Sequence, residues 1–180
     1  MARVILGSVL GIPPAQVPIR RLCLRCGSPD HGKPYIEGRP VHFTTSAAGD
    51  HVAVAVGPVP LGIDLVDVAD IGPGVGEVML SSGEDAADAR GLATVWARKE
   101  AILKATGDGL SVDPQVIRVS APDAPAALLA WPDRGIAGIH VVDIDVPSQG
   151  GRVSSLAWLS GKRMRVVVHR EATARLQGHR

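Results

Sequence analysis

Two neighbouring stretches of the chain alternate apolar and polar side chains with the period of a β-strand. They are "VHFTTS" at residues 41–46 and "HVAVAVG" at 51–57, and "SAAGD" between them has the small and polar residues of a turn. This pattern predicts an antiparallel hairpin. The next stretch, "LGIDLVDV" at 61–68, is more continuously apolar and predicts a buried strand with an acid at its centre.

One segment of the chain, residues 81–109, has the period of a helix instead. Ser81 and Glu84 match a helix-capping pattern, Gly107 is typical of a C-terminal cap, and Gly91 is predicted to break the segment into two helical pieces. Counting 3.6 residues per turn places a set of apolar side chains on one arc: Leu92, Val95, Trp96, Ile102 and Leu103. This segment is therefore predicted to pack its apolar arc against a core.

The remaining segments are shorter. A helix is predicted over residues 2–10, before Gly11 and Pro13. Other ranges are assigned from composition: a loop-rich segment with one strand at 19–39, a Gly/Pro loop at 70–77, strands at 115–120, 139–146, 153–159 and 164–169, a Pro-punctuated connection at 121–138, and a polar tail at 170–180. The sum predicts an α+β domain whose strands form antiparallel pairs.

Composition and charge exclude several classes of protein. The 180 residues include 19 basic and 18 acidic side chains, and only 3% are aromatic, so neither a basic surface nor a stacking platform for nucleic acid is expected. No apolar run is long enough for a membrane span, and the first residues do not match a secretory signal. Two cysteines do not make a disulfide framework. The expectation is a cytoplasmic protein without nucleic-acid or membrane partners.

The first candidate functional residue is Asp64, an acid within an apolar strand. Burying a lone carboxylate is costly unless it is paired or binds a metal, which favours a functional site. A structural Asp bonded to backbone amides is the alternative. Asp67 is the weaker candidate because it lies on the opposite face of the strand.

The second candidate group lies on the predicted helix. Lys99 falls within the apolar arc, Glu100 at its edge, and Lys104 one turn beyond Glu100. A lysine among apolar side chains must either reach solvent through a cleft or contact an anion. An ordinary surface pair between Glu100 and Lys104 is the alternative.

Cys23, Cys26 and His31 resemble half of a zinc site. A structural zinc needs four ligands, and His42 and His51 are the nearest further candidates; plain thiols in a turn are the alternative.

The combination of these segments resembles the 4′-phosphopantetheinyl transferase superfamily. Its pattern is a Gly-Ile/Val-Asp strand followed by Trp-x-x-Lys-Glu-Ala/Ser-x-x-Lys-x-x-Gly-x-Gly-Leu. "GIDLV" at 62–66 and "WARKEAILKATGDGL" at 96–110 reproduce both blocks. Upstream, "HGKPYI" at 31–36 and "VHFTTSAAGDHVAVAV" at 41–56 resemble the family's Gly-Lys-Pro and Phe-Asn-x-Ser-His blocks. The resemblance is closest to the larger, monomeric type that activates polyketide and peptide synthases.

This resemblance implies a fold, an activity and a set of site residues. The fold is a pseudo-dimer of two similar halves, here 1–60 on the coenzyme A-binding side and 61–180 with the metal site and the catalytic helix. The activity is transfer of phosphopantetheine from coenzyme A to a serine of an acyl or peptidyl carrier protein, with Mg²⁺ or Mn²⁺. The residues that match the family's are Asp64 and Glu100 as metal ligands and catalytic groups, Lys104 as a catalytic and phosphate-binding group, and Lys33, Ser46 and Lys99 as coenzyme A contacts.

Three features depart from the family's pattern. Ala47 stands where a histidine normally contacts the 3′-phosphate, Val66 stands where a second acid often follows Asp64, and the N-terminal half is expected to be shortened. A non-catalytic homologue that binds coenzyme A or a carrier protein is therefore the alternative function. An unrelated metal phosphohydrolase would need more acids in metal-ligand spacing.

Overall fold

A computed structural model describes residues 1–23, 25–146 and 151–170. Its helices are α1 (Ala2–Leu10), α2 (Val75–Met79) and α3 (Ala89–Thr106). Its strands are β1 (Ile19–Leu22), β2 (Lys33–Ile36), β3 (His42–Ala48), β4 (His51–Gly57), β5 (Leu61–Asp67), β6 (Arg118–Val119), β7 (Leu128–Ala130), β8 (Ile139–Asp143) and β9 (Arg152–Leu159). Within the described ranges none of the helices has both the length and the apolar character of a membrane span.

All strand pairs of the described chain are antiparallel. β1 pairs with β2, β3 with β4, and β6 with β7, while β5, β9 and β8 form a three-stranded sheet in that order. This agrees with the predicted α+β class and with the 4′-phosphopantetheinyl transferase fold. The pseudo-dimeric arrangement of two halves and their boundary near residue 60 stay predictions.

Several predicted elements are confirmed and others are wrong. The helix at 2–10 and the hairpin at 42–57 are present, and Gly107 ends α3 with φ +85°. The predicted interruption at Gly91 is wrong, because α3 is continuous through this residue. Asp88 caps the start of the helix by accepting a hydrogen bond from the Gly91 amide at 2.7 Å. The strand at 164–169 is absent from the structure. The tail lies outside the described residues except for Arg170.

Four short elements lie in segments for which the sequence predicted loops and, within 19–39, a single strand. β1 and β2 form a hairpin within 19–39, α2 lies within and just beyond the Gly/Pro loop, and β7 lies within 121–138. Each of these is five residues or fewer, too short for a hydrophobic period to be distinguished from a loop.

α3 lies directly against β5 because the strand has no side chain at Gly62. A Cβ atom at Gly62 would lie 2.1 Å from the Ala101 carbonyl oxygen and 2.4 Å from the Ala105 amide nitrogen. Only glycine permits this approach of helix to strand. The apolar arc of α3 packs in the main core, where Val95, Ile102 and Leu103 are buried against residues of the following strands such as Val141 and Ala157.

The N-terminal segments have a smaller core of their own, formed by Leu6, Val17, Ile36 and Phe43. The β3–β4 hairpin then joins β5 through side chains of β3. The Ile63 amide donates to Thr44 Oγ1 at 3.4 Å, and the Leu65 amide donates to Ser46 Oγ at 3.1 Å. This contact brings β3, β5 and α3 together at one place.

Candidate active site

Asp64 is the centre of a polar cluster formed by three separate elements. Its carboxylate is buried, with the side chain 8% exposed. Its Oδ1 atom accepts hydrogen bonds from Ser46 Oγ on β3 at 2.9 Å and from the Lys104 ammonium on α3 at 2.5 Å. The buried acid therefore has the partners that its burial requires.

The two partners of Asp64 are themselves held in place. Lys104 Nζ also donates to the Ile63 carbonyl at 3.2 Å and lies 3.4 Å from Ser46 Oγ. Ser46 Oγ accepts the Leu65 amide while it donates to Asp64. Because the Lys104 side chain is still 30% exposed, its ammonium remains within reach of a ligand from solvent.

Glu100 lies one turn before Lys104 on α3 and is half-buried. Burial raises the pKa of Glu100, the negative charge of Asp64 raises it further, and Lys104 partly offsets both. The negative charge of Asp64 therefore acts on the Glu100 carboxyl group. The alternative of an ordinary surface pair between Glu100 and Lys104 does not match these observations, because Glu100 is half-buried and the Lys104 ammonium contacts Asp64.

The donor set of this cluster fits a hard divalent cation. Two carboxylates in partial burial repel one another, and a cation between them would relieve that repulsion. The serine hydroxyl adds a third oxygen beside Asp64. Carboxylate and hydroxyl oxygens are ligands suited to Mg²⁺ or Mn²⁺.

Lys33 lies at the C-terminal end of α3. Its Nζ donates to the Ala105 carbonyl at 2.5 Å. Burial lowers the pKa of Lys33 to about 8, and the Asp108 carboxylate opposes this shift. Burial lowers the pKa of His42, and the charge of Lys33 lowers it further. The partly buried Lys33 ammonium therefore lies beside Ala105, the residue directly after Lys104.

Lys99 does not join these residues. It is 1% exposed, and its ammonium lies 2.6 Å from Glu84 Oε2, 2.6 Å from the Met79 carbonyl and 3.0 Å from both Ser81 Oγ and the Pro114 carbonyl. Of the two outcomes that the sequence left open for this lysine, a route to solvent or an anion, the structure shows the anion, which is Glu84. With its donors occupied inside the protein, the side chain is placed to stabilise the fold and not to contact a phosphate group.

Glu84 explains why the predicted capping box does not begin a helix. Its carboxylate accepts the Ser81 amide at 2.8 Å, as a capping box requires, but also the Val119 amide at 2.6 Å and the Lys99 ammonium. These contacts hold Glu84 in the turn between α2 and α3, from which its carboxylate reaches both α3 and β6. The helix begins eight residues later than Ser81, at Ala89.

Sequence reasoning missed Arg98, which fixes the buried side of α3. Its guanidinium is fully buried and donates to Asp143 Oδ2 at 2.6 Å and to backbone carbonyls of the segment after β6. These carbonyls belong to Ser120, Ala121, Pro122 and Ala124. The sequence signal that could have identified Arg98 is a cationic residue in an otherwise apolar helix segment. Lys99 has the same signal.

The family departures also have definite positions. Ala47 is exposed and lies next to Ser46 on β3, so its side chain points away from Asp64. Val66 is buried and packs with Ala93 and Ala97 of α3. Asp67, on the other face of β5 as predicted, accepts the Ala69 amide at 3.1 Å and pairs with Arg152 at 3.3 Å.

A buried acid on a β-strand, held against a Lys-Glu-x-x-x-Lys helix, is the arrangement found at the site. The family model of the 4′-phosphopantetheinyl transferase superfamily matches residues 60–141. Residues 60–141 are therefore a domain of this superfamily. No curated protein matches the chain. The matched range contains Asp64, Glu100 and Lys104, whereas Lys33 and Ser46 lie before it.

Proposed function

We propose that the protein transfers 4′-phosphopantetheine from coenzyme A to a serine of an apo acyl or peptidyl carrier protein, releasing 3′,5′-ADP. The observation that carries this proposal is the convergence of Asp64, Lys104 and Ser46, with Glu100 in electrostatic contact with Asp64. Asp64, Glu100 and Lys104 lie on the strand and helix that the superfamily model covers. It combines cationic and anionic groups, as phosphoryl transfer requires.

Lys104 and Lys33 are assigned to the phosphate groups of coenzyme A. The Lys104 side chain is 30% exposed while its ammonium contacts Asp64. A diphosphate placed there would receive charge-assisted hydrogen bonds from it. Ser46, which is already bonded to both Asp64 and the Leu65 amide, would position the Asp64 carboxylate. Lys99 has no part in this proposal.

Asp64 and Glu100 are assigned to a divalent cation, Mg²⁺ or Mn²⁺. When bound, the cation would neutralise charge on the diphosphate during transfer. Glu100 is also assigned as the proton acceptor. A carboxylate whose pKa is raised by burial is a better base than an exposed one.

In the proposed reaction the carrier serine oxygen attacks the phosphorus that bears the pantetheine arm. The bond from this phosphorus to the bridging oxygen breaks, and 3′,5′-ADP leaves with the bonding electron pair. The serine proton passes to the Glu100 carboxylate. Lys104 stays within hydrogen-bonding distance of the departing phosphate and stabilises the charge that develops on it.

The test is to incubate the purified protein with coenzyme A, Mg²⁺ and an apo carrier protein, and to weigh the carrier by mass spectrometry. A carrier heavier by one phosphopantetheine group, and unchanged when Mg²⁺ is replaced by a chelator, supports the proposal. If the protein binds coenzyme A by calorimetry but modifies none of several acyl and peptidyl carriers, the proposal is wrong and the binding-only alternative holds. We expect a monomer in a cytoplasmic fatty acid, polyketide or peptide pathway.

A further inference from the structure

The loop between β1 and β2 brings Cys23, Cys26 and His31 into one cluster. One ligand atom from each residue lies within 4.8 Å of the others, and Cys26 Sγ is 3.3 Å from His31 Nε2. Cys23 is half-exposed and Cys26 is exposed. Within the described ranges this is the one group of three or more such residues whose ligand atoms converge so closely. It is separate from the Asp64 cluster in its residues and in its ligand chemistry.

These separations are close to what a tetrahedral zinc ion needs. With a Zn–S bond of about 2.3 Å and a Zn–N bond of about 2.0–2.1 Å, a tetrahedral angle separates sulfur from nitrogen by roughly 3.6 Å and two sulfurs by roughly 3.8 Å. A single ion can therefore reach all three ligand atoms with small side-chain movements. Two thiolates and a neutral imidazole are a soft donor set that selects Zn²⁺ over Mg²⁺.

The backbone of the loop is folded around Cys23. The Cys23 amide donates to the Ser28 carbonyl at 3.0 Å, and the Gly27 amide donates to the Cys23 carbonyl at 2.8 Å. Gly27 has φ +72°, which allows the chain to turn directly after Cys26.

The other side of the loop is equally close-packed. A Cβ atom at Gly32 would lie 2.4 Å from the Leu22 carbonyl oxygen and 2.5 Å from the Cys23 Cα atom. Gly32 directly follows His31, so its lack of a side chain lets the histidine backbone approach the first cysteine. The ligands are thus brought together by the hairpin itself.

We propose that Cys23, Cys26 and His31 bind one Zn²⁺ ion, with a water molecule as the fourth ligand. The two thiolates balance the charge of the ion. The fourth position is assigned to water because the described residues bring no further ligand to the cluster.

The position of this site suggests its effect on the protein. His31 precedes Lys33 by two residues, and the Lys33 ammonium contacts the last turn of α3. Zinc would connect the two ends of the loop and limit the movement of β2 relative to β1. The metal is therefore expected to raise the thermal stability of the chain.

The experiment measures zinc and thiols in the whole protein. The chain is purified under a reducing agent that does not bind metal, supplied with Zn²⁺, desalted, and analysed for zinc. We expect equimolar zinc in the wild type and in His51→Ala, whose histidine lies on β4, and a loss of bound zinc in Cys26→Ser and His31→Ala. Chelation should lower the melting temperature of the wild type and leave that of Cys26→Ser unchanged.

A second measurement does not depend on the folding of any variant. Co²⁺ added to the wild type should give the visible absorption of a tetrahedral thiolate complex, and Zn²⁺ should displace it. Absence of this absorption together with substoichiometric zinc would overturn the proposal. So would zinc content that is unchanged in both Cys26→Ser and His31→Ala. The third contrary outcome is a disulfide between Cys23 and Cys26. It would appear as wild-type protein that is lighter by two hydrogen atoms and has no thiol open to alkylation, even when zinc is present.

Discussion

The Lys104 ammonium lies 2.5 Å from Asp64 Oδ1 and thereby connects the helix to the buried strand carboxylate. The lysine supplies the positive charge that this acid needs inside the protein. It also lies where it competes with any divalent cation for the same oxygen. In the proposed function, this relationship would make metal binding and phosphate binding interdependent.

Lys104→Met should tighten Mg²⁺ binding to the free protein and weaken coenzyme A binding. Removing the ammonium leaves Asp64 and Glu100 with unbalanced negative charge, and an effect of at least about tenfold on the Mg²⁺ affinity is expected from charges at this distance. Calorimetric titration with each ligand measures both affinities. Lys162→Met, at an exposed position, is the control. Weaker Mg²⁺ binding in Lys104→Met would contradict the proposed competition.

Glu100→Gln should abolish transfer without loss of stability. Since the pKa of Glu100 is raised in the folded protein, the wild type gains stability from this group below pH 4.5 and loses it as the pH rises through the raised value. The variant lacks this loss, so its melting temperature should exceed that of the wild type increasingly above pH 4.5. The exposed Glu77→Gln should match the wild type in both measurements. A Glu100→Gln protein with wild-type turnover at saturating Mg²⁺ would remove Glu100 from the site.

Asp64→Asn should also be inactive, while Asp67→Asn should keep most of its activity. Both changes replace a carboxylate on β5, but the two side chains lie on opposite faces of the strand. Asp64→Asn also weakens the contact with Lys104, at a cost of about 1–3 kcal/mol in the free energy of unfolding. Turnover and chemical denaturation of both variants test this. Equal losses of activity would mean that the face of the strand does not matter.

Lys99→Met should unfold more easily without a specific change in coenzyme A affinity. The variant leaves the buried Glu84 carboxylate, 4% exposed, without its cation, and breaking such a pair costs about 3–5 kcal/mol. The double variant Lys99→Met/Glu84→Gln should recover part of this loss. Chemical denaturation measures it. Lys99→Met with wild-type stability and weak coenzyme A binding would instead restore the phosphate contact that the sequence suggested.

Lys33 should make coenzyme A binding depend on pH. Its pKa is lowered from 10.5 to about 8, so the free protein loses this charge above about pH 8 and phosphate affinity should fall there. The unfolded chain keeps the proton up to its higher pKa, so stability should rise between about pH 8 and 10.5. Lys33→Arg should keep the affinity at high pH, and Lys33→Met should lose the rise in stability. A wild-type affinity that is constant from pH 7 to 9.5 would exclude the role of Lys33.

The sequence predicted the side chains that meet around Asp64 better than it predicted the turns near them. Asp64, Glu100 and Lys104 could be found because strand and helix periods place each side chain on a definite face. Ser46 and Lys33 came only from the family's upstream blocks. The structure places Ser46 in contact with Asp64 and Lys33 on the last turn of α3.

Lys99 shows what the local sequence pattern could not predict, namely which anion pairs with a buried lysine. The helical period correctly placed it among apolar residues, but two anions could satisfy it, a bound phosphate or an acid of the chain. Choosing between them requires the position of Glu84, which depends on how the turn after α2 packs against β6. The same tertiary contact prevented Ser81 and Glu84 from beginning a helix, although the local sequence favoured one.

Gly62 has a consequence for how the site tolerates change elsewhere. Because helix and strand backbones touch there, the separation between Asp64 and the Glu100–Lys104 turn is set by atomic radii and not by the rotamer of any core side chain. Substitutions that enlarge or shrink the core can therefore accumulate without displacing the carboxylates. A methyl group at position 62, by contrast, would push α3 away from β5 and so separate Asp64 from Glu100 and Lys104, the residues on which catalysis is proposed to depend.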